Sequence, residues 1–198
     1  MYLSRVYVQW PKSKNAYTLH QSLWELFPNR PDDARDFLFR VEQEKTGVGA
    51  SILMQSQQEP ANGIESVELK AKRDYSLTLL EDQRFRFLLK ANPVKTKKDE
   101  KGRKNAKGEV KKCRVPLIKE EEQQQWLMRR LDGIAALEEM QISSCLPLYF
   151  RKGQQAGKVV PVRFEGVVRV VDPRAFKELI TKGVGPAKAL GCGMLSLA

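Results

Sequence analysis

The stretch YLSRVYVQ (2–9), followed after a short link by NAYTLHQSLWELFP (15–28), decides how the rest of the chain is read. Its first part alternates apolar and polar residues with the period of a half-buried strand, and its second part spaces its apolar residues as a helix does. Asn15 is a residue type that caps a helix, and Pro28 biases Phe27 away from helical geometry. Two more strand-like runs follow, FLFRVEQ (37–43) and SILMQSQ (51–57), joined by a turn containing Gly47 and Gly49. After the less readable NGIESVELK comes DYSLTLL (74–80), read as another strand, so the first half is roughly β-α-β-β-(α)-β.

The second half repeats the scheme. FRFLLKAN (85–92) is a strand candidate, and KEEEQQQWLMRRLDGIAALEEM reads as one helix with Leu127, Leu131 and Ile134 at i, i+4 and i+7. Glu120, Glu121 and Glu122 in its first turn favour the positive end of the helix dipole. LPLYFRK and VVPVRFEGVVRVV are expected to form a two-strand unit around the turn GQQAG, DPRAFKELITKG a short helix, and CGMLSLA a closing strand. The expected fold is therefore α+β, with two tandem ferredoxin-like (β-α-β-β-α-β) domains over residues 1–82 and 83–198.

With 198 residues, 22.6 kDa and 41% hydrophobic residues, the chain can build a core for one ordinary domain or two small ones. Thirty-five Lys and Arg against 24 Asp and Glu give a net charge of +11, which favours a polyanionic partner such as nucleic acid and leaves an anionic membrane surface as the alternative. MYLSRVYVQW carries Arg5 within its alternation and lacks the unbroken apolar run of a secretory signal, and no segment is long and apolar enough to span a bilayer. Cys113, Cys145 and Cys192 are odd in number and scattered, which suits a reducing cytosol and indicates neither a disulfide framework nor a zinc site.

The positive charge is concentrated. KANPVKTKKDEKGRKNAKGEVKKCR (90–114) holds eleven Lys or Arg and three Asp or Glu, a net +8. With few apolar residues it reads as a loop or ribbon inserted at about residues 95–112, either lining a phosphate backbone or simply solvated. Lys95, Lys97, Lys111, Lys112 and Arg114 are its candidate RNA contacts. Arg151, Lys152, Lys158 and Arg163 lie on and beside the turn of the hairpin RKGQQAGKVVPVRF, which can enter the major groove of A-form RNA near a stem end or clamp its phosphates, the alternative being a simply exposed polar hairpin.

At 100° per residue, Ala16, Leu19, Leu23, Leu26 and Phe27 form one arc of the first helix, with Tyr17, His20 and Trp24 along its border. His20 is the only histidine, and Tyr17 lies one turn before it. A histidine exchanges a proton near neutral pH and a tyrosine hydroxyl can donate one. Surrounded by cations, such a pair is what metal-free RNA cleavage needs: a base takes the 2′-OH proton, an acid protonates the departing 5′ oxygen, and cations stabilise the phosphoryl oxygens. A structural histidine is the competing reading. No carboxylate cluster or His-rich motif of the kind that holds a metal is present, so no metal is expected.

GVGPAKALGCG carries Gly183, Gly185, Gly191 and Gly193 around Lys188. These glycines permit positive φ and close backbone approach, either against RNA or against the facing domain. The loop follows a helix and precedes a strand, the reverse of a dinucleotide fingerprint, so no nucleotide cofactor is expected.

YTLHQSLWELFPNRPDDARDFLFRVE (17–42), LKANPVKT (89–96), CRVPLIKE (113–120) and GVGPAKALGCGMLSLA (183–198) together give the chain an end-to-end resemblance to the CasE family, the CRISPR RNA-processing endoribonucleases of type I-E systems. This family lies within the repeat-associated RNA-binding proteins that share a glycine-rich loop. The resemblance implies two ferredoxin-like domains, binding of the CRISPR repeat stem-loop and metal-independent cleavage at its 3′ base. It also implies 2′,3′-cyclic phosphate and 5′-OH ends, and retention with the other subunits of the type I-E surveillance complex in the cytoplasm. The family's catalytic histidine falls on His20 and its associated tyrosine on Tyr17. The resemblance does not say which is base and which acid. The alternatives are a non-catalytic RNA-binding assembly subunit and a basic structural protein of a ribonucleoprotein.

Overall fold

The computed structural model describes residues 1–28, 35–99, 101–104, 106–152 and 155–198. In chain order its elements are β1 (Tyr2–Gln9), α1 (Ala16–Leu23), β2 (Phe37–Lys45), β3 (Gly49–Ser56), β4 (Val67–Asp74), β5 (Arg84–Ala91), β6 (Val94–Lys98), β7 (Lys112–Pro116), α2 (Glu120–Leu131), β8 (Ala135–Ser144), β9 (Leu148–Lys152), β10 (Gln155–Val159), β11 (Val162–Val170), α3 (Pro173–Lys182) and β12 (Leu195–Leu197). Single 3-10 turns follow α1 (Trp24–Leu26) and precede β12 (Lys188–Leu190).

Two four-stranded antiparallel sheets carry the fold, in the orders β2-β3-β1-β4 and β12-β5-β11-β8. Each places its first strand beside its third and fourth, the ferredoxin-like order. In the first, the period of two sends Val6, Val8, Phe37, Phe39, Ile52 and Met54 to one face, where Leu19, Leu23 and Leu26 cover them. In the second, Phe87, Leu89, Phe164 and Val168 meet Trp126, Leu127 and Leu131 of α2 and Phe176 and Ile180 of α3. Each such side chain contributes about 1.5–3 kcal/mol on burial. Two ribbons, β6–β7 and β9–β10, stand apart from the sheets.

Several elements differ from the sequence reading. The segment between β3 and β4 contains no helix, so among the described residues the first unit has α1 as its one α-helix. The strand expected at 74–80 lies instead at Val67–Asp74, inside the stretch whose polar residues obscured it. It is an edge strand paired only with β1, and most of its side chains are exposed. The apolar alternation at 75–80 has another cause: Leu77 and Leu79 pack on the core of the second unit.

The long helix stops at Leu131 rather than running to residue 140, and Gly133 adopts φ +69° two residues later. The residues AALEEM then open β8, which pairs with β11. LPLYFRK consequently pairs not with the long run around Arg163 but with β10, leaving β11 as a central strand between β5 and β8. The centre of the expected GQQAG turn, residues 153 and 154, lies outside the described residues.

The two units touch through α3, β12 and the glycine-rich loop. Gln55 Nε2 donates to the Ile180 carbonyl at 3.1 Å, and Arg40 Nη1 to Ser196 Oγ at 2.9 Å. A Cβ on Gly183 would lie 2.8 Å from Leu38, and one on Gly191 3.2 Å from Phe39, both side chains of β2. A Cβ on Gly185 would lie 2.7 Å from Trp126 of α2. Of the two uses open to these glycines, close approach to protein accounts for these three: at positive φ the loop lies against β2 and α2 at once.

Candidate active site and nucleic-acid interface

The site begins with the cap of α1. Asn15 Oδ1 accepts hydrogen bonds from the Tyr17 and Thr18 amides at 3.0 and 2.9 Å, fixing the first turn. Leu19 and Leu23 anchor the helix in the core, which leaves Tyr17 and His20 half-buried on its border one turn apart. Ring centroids of Phe37, Phe39 and Trp24 lie 5.7, 6.4 and 6.4 Å from that of His20.

The aromatic setting governs the chemistry of His20. Its Nε2 is buried and has no hydrogen-bond partner among the described residues. Burial first, and the positive charge of Arg35 second, hold its pKa down at about 4 from the usual 6.5. The ring is therefore a neutral imidazole at pH 7, with a nitrogen that none of those residues engages.

Arg35 enters β2 two residues before Phe37. Its Nη1 is buried without a hydrogen-bond partner among the described residues, and burial lowers the guanidinium pKa. Lys188, on the 3-10 turn of the glycine-rich loop, is lowered by burial and then by Arg35, Arg130 and Lys182. Its Nζ donates to the Lys182 carbonyl at 2.6 Å. Among the described residues every charge that acts on Lys188 is positive. Cations held together against their own repulsion form a site that an anion relieves.

Both the Lys188–Leu190 turn and the β9–β10 ribbon abut α1. The ribbon register sets Tyr149 opposite Lys158 and Arg151 opposite Ala156, so Tyr149, Arg151 and Lys158 share one face. These three side chains are exposed. The Lys152 side chain, a candidate contact from sequence, lies outside the described residues. Arg163 is elsewhere, on β11 and ion-paired with Glu165.

The other candidates occupy the β6–β7 ribbon, and they divide between its faces. Pairing of Thr96 with Arg114 and of Lys98 with Lys112 puts Lys98, Lys112 and Arg114 on one side. Lys95 and Lys97 lie on the other, where Lys95 Nζ is held 2.7 Å from Glu122 of α2. Lys111 falls just before β7, its amide bonded to the Arg103 carbonyl at 2.7 Å and its charge beside Asp99. The basic segment is thus a paired ribbon at its base. Among the described residues no group of three or more His, Cys, Asp or Glu stands where it could hold a metal ion, and no helix is long and apolar enough to cross a membrane.

Sequence reasoning missed Arg35, Lys98 and Tyr149. Arg35 precedes β2 in a stretch without periodicity and carries no signal of its own. Lys98 becomes a partner of Lys112 only once the ribbon register is known. For Tyr149 a signal existed, because in LYFRK it shares alternation with Arg151.

The family model described as CRISPR associated protein matches residues 1–198. The chain is 46% identical over 199 residues to the CRISPR system Cascade subunit CasE of Escherichia coli (strain K12), covering 100% of this chain and 99% of that protein. It superposes on the crystal structure of the CRISPR-associated protein Cas6e from Escherichia coli str. K-12 with a TM-score of 0.87 and 42% identity, covering 100% and 99% of the two chains. Against the CRISPR endoribonuclease Cse3 bound to a 19-nucleotide RNA the TM-score is 0.76 at 31% identity, with both chains fully covered.

Proposed function

The chain belongs to the CRISPR-associated protein family that its full-length match defines, and from that premise we propose that it is the endoribonuclease that processes CRISPR RNA in a Cascade complex. It binds the repeat stem-loop, cuts at the 3′ base of the stem, and stays with the product and the other type I-E subunits in the cytoplasm. Residues 1–82 carry the catalytic helix. Residues 83–198 carry the basic ribbons and the glycine-rich loop.

One observation carries this reading: a neutral histidine whose Nε2 has no hydrogen-bond partner among the described residues, beside a guanidinium whose buried Nη1 likewise has none. In-line attack by a ribose 2′-OH requires a group that takes its proton, and an imidazole with its pKa below neutral is already in the accepting form. His20 is the base in this scheme. Tyr17, one turn away, protonates the departing 5′ oxygen. Arg35 and Lys188 face the phosphoryl oxygens as negative charge builds on them, at a place where both cations are partly desolvated and so act strongly. The nucleophile belongs to the RNA and the protons to side chains, so the scheme uses no metal and no cofactor. The products are a 2′,3′-cyclic phosphate and a 5′-OH.

For RNA binding, Arg151, Lys152 and Lys158 of the β9–β10 ribbon serve beside the active site, with Lys97, Lys98, Lys111, Lys112 and Arg114 contributing from the second ribbon. Lys95 and Arg163 contribute less, because each is committed to a glutamate.

The test is cleavage of the host's repeat RNA in excess EDTA by wild type and His20→Ala. We expect a single cut with a cyclic phosphate end from wild type only, while both proteins bind the RNA with similar affinity. Loss of affinity together with activity in His20→Ala would remove His20 from the chemistry. Tight binding with no cutting by wild type would mark the protein as a non-catalytic assembly subunit.

A further inference from the structure

We propose that the outer face of the β9–β10 ribbon is a stacking platform, in which the Tyr149 ring holds one unpaired base of the bound RNA next to the scissile bond while Arg151 and Lys158 hold the flanking phosphates. The proposal rests on the endoribonuclease reading for the identity of the RNA. The platform itself stands on separate observations.

The first is that Tyr149 is unnecessary to the ribbon's own packing. The strand alternation turns Leu148, Phe150 and Val159 to the opposite face, where Val159 is buried. There the Phe150 ring lies across Gly157 so closely that a Cβ on the glycine would sit 2.3 Å from it. The inner face is therefore filled by its own residues. Tyr149 remains 65% exposed, a large aromatic surface left in water.

A second observation concerns charge. The described side chains of the outer face are Tyr149, Arg151, Ala156 and Lys158, two cations and no carboxylate. Lys158 Nζ lies 5.5 Å from the Tyr149 ring centroid, over one face of the ring. This cation–π contact restrains the ring before any ligand arrives, while most of the residue's surface stays open to solvent. An aromatic plane flanked by cations fits a nucleic acid base with its phosphates, because every base has a π-face and the backbone supplies the anions. An apolar protein surface would leave both cations without partners, and an acidic one would pair the cations but leave the exposed Tyr149 ring without a stacking partner.

The location selects the kind of base. β9 packs beside α1, the helix that carries His20. Bases within an A-form stem are already stacked on their neighbours, so a side chain can stack only on a base splayed from the helix. Tyr149 would thus fix the unpaired nucleotide at the foot of the stem and with it the phosphate presented to His20.

The experiment uses the full-length protein and a repeat RNA with a 2′-deoxy residue at the scissile nucleotide, so that binding is read without cleavage. 2-Aminopurine is placed in turn at each unpaired position flanking the stem. Wild type is expected to quench one position. Tyr149→Ala should abolish that quench and weaken binding about 30-fold, the middle of the range for one stacked base. Tyr149→Phe should retain both. Quenching and affinity unchanged in Tyr149→Ala would overturn the proposal. So would a Tyr149→Phe variant as impaired as Tyr149→Ala, since the hydroxyl would then be what matters, or a Tyr149→Ala variant that keeps its RNA affinity and loses only binding to other complex subunits. Cleavage of unmodified RNA by the same wild-type preparation separates this outcome from failure of the endoribonuclease reading. The circular dichroism of each variant checks that the exposed substitution leaves the fold intact.

Discussion

Because His20 is the only histidine, its titration can be followed in isolation, and the structure says where it falls. Its ring sits among Trp24, Phe37 and Phe39, with Arg35 the charge that bears on it, and its pKa is held at about 4 rather than 6.5. The unfolded chain therefore binds a proton between pH 6.5 and 4 that the folded protein refuses. Stability contributed by the neutral ring is fully present above pH 6.5 and is lost as the pH falls through 4. The whole displacement corresponds to at most about 3.4 kcal/mol. Solvent screening at a ring that is only partly buried brings the expected loss down to about 1–2 kcal/mol. The assay is the Hε1 proton resonance of the single histidine between pH 3.5 and 8, paired with urea unfolding at pH 7 and 4.5. Arg35→Gln should raise the pKa, since it removes the second cause and leaves the first. His20→Gln, which has no ring to protonate, should flatten that part of the pH–stability curve. A histidine that titrates at 6.5 in the folded protein would refute the reasoning, and with it the claim that a neutral, water-shielded imidazole awaits the substrate.

Two further outcomes are expected. Gly185→Ala combines a φ of +76° with a Cβ 2.7 Å from the Trp126 ring, so strain and overpacking together should cost about 2–4 kcal/mol and lower Tm by about 5–10 °C. Gly133→Ala, at φ +69° with nothing within 4 Å, should lose only about 1 kcal/mol, and equal losses in calorimetry would contradict the close approach. In the β6–β7 ribbon, the triple change of Lys98, Lys112 and Arg114 to Ala should reduce the slope of log affinity against log salt by about 2. Lys95→Ala, whose ammonium already serves Glu122, should change it little; a filter-binding salt series in which both variants behave alike would refute the division of the ribbon into two faces.

The fold was legible wherever the hydrophobic period had a single cause. Val6 and Val8, or Phe37 and Phe39, alternate because one face of their sheet is buried and the other is not, and such strands were found within two residues. DYSLTLL misled because Leu77 and Leu79 alternate for a different reason: they lie on the second core without joining a sheet. The converse failure is β4, a strand whose exposed Lys70, Lys72 and Arg73 give no apolar period. At residues 132–140 the strand that follows the helix also turns aliphatic residues toward the same core, and Ile134 continues the helical spacing by coincidence. Gly133 was the only local sign of the break, and a lone glycine is compatible with a helix interior.

The site was legible in proportion to how local it is. Tyr17 and His20 are three residues apart on one helix, so 100° per residue was enough to set them side by side. Arg35 and Lys188 are separated by most of the chain, and Arg35 bears on both His20 and Lys188 only because β2 and the glycine-rich loop meet beside α1. That meeting depends on glycines in which a side chain would strike Leu38 and Phe39 of β2 or Trp126 of α2, residues from two distant parts of the sequence. The glycine spacing could announce a tight loop without announcing its neighbours. The loop sets the two units against each other and, in the same stroke, carries Lys188 toward α1. A substitution that loosens it should therefore impair cleavage through the position of Lys188 even where the chain remains folded, and that coupling between packing and chemistry lies beyond any motif.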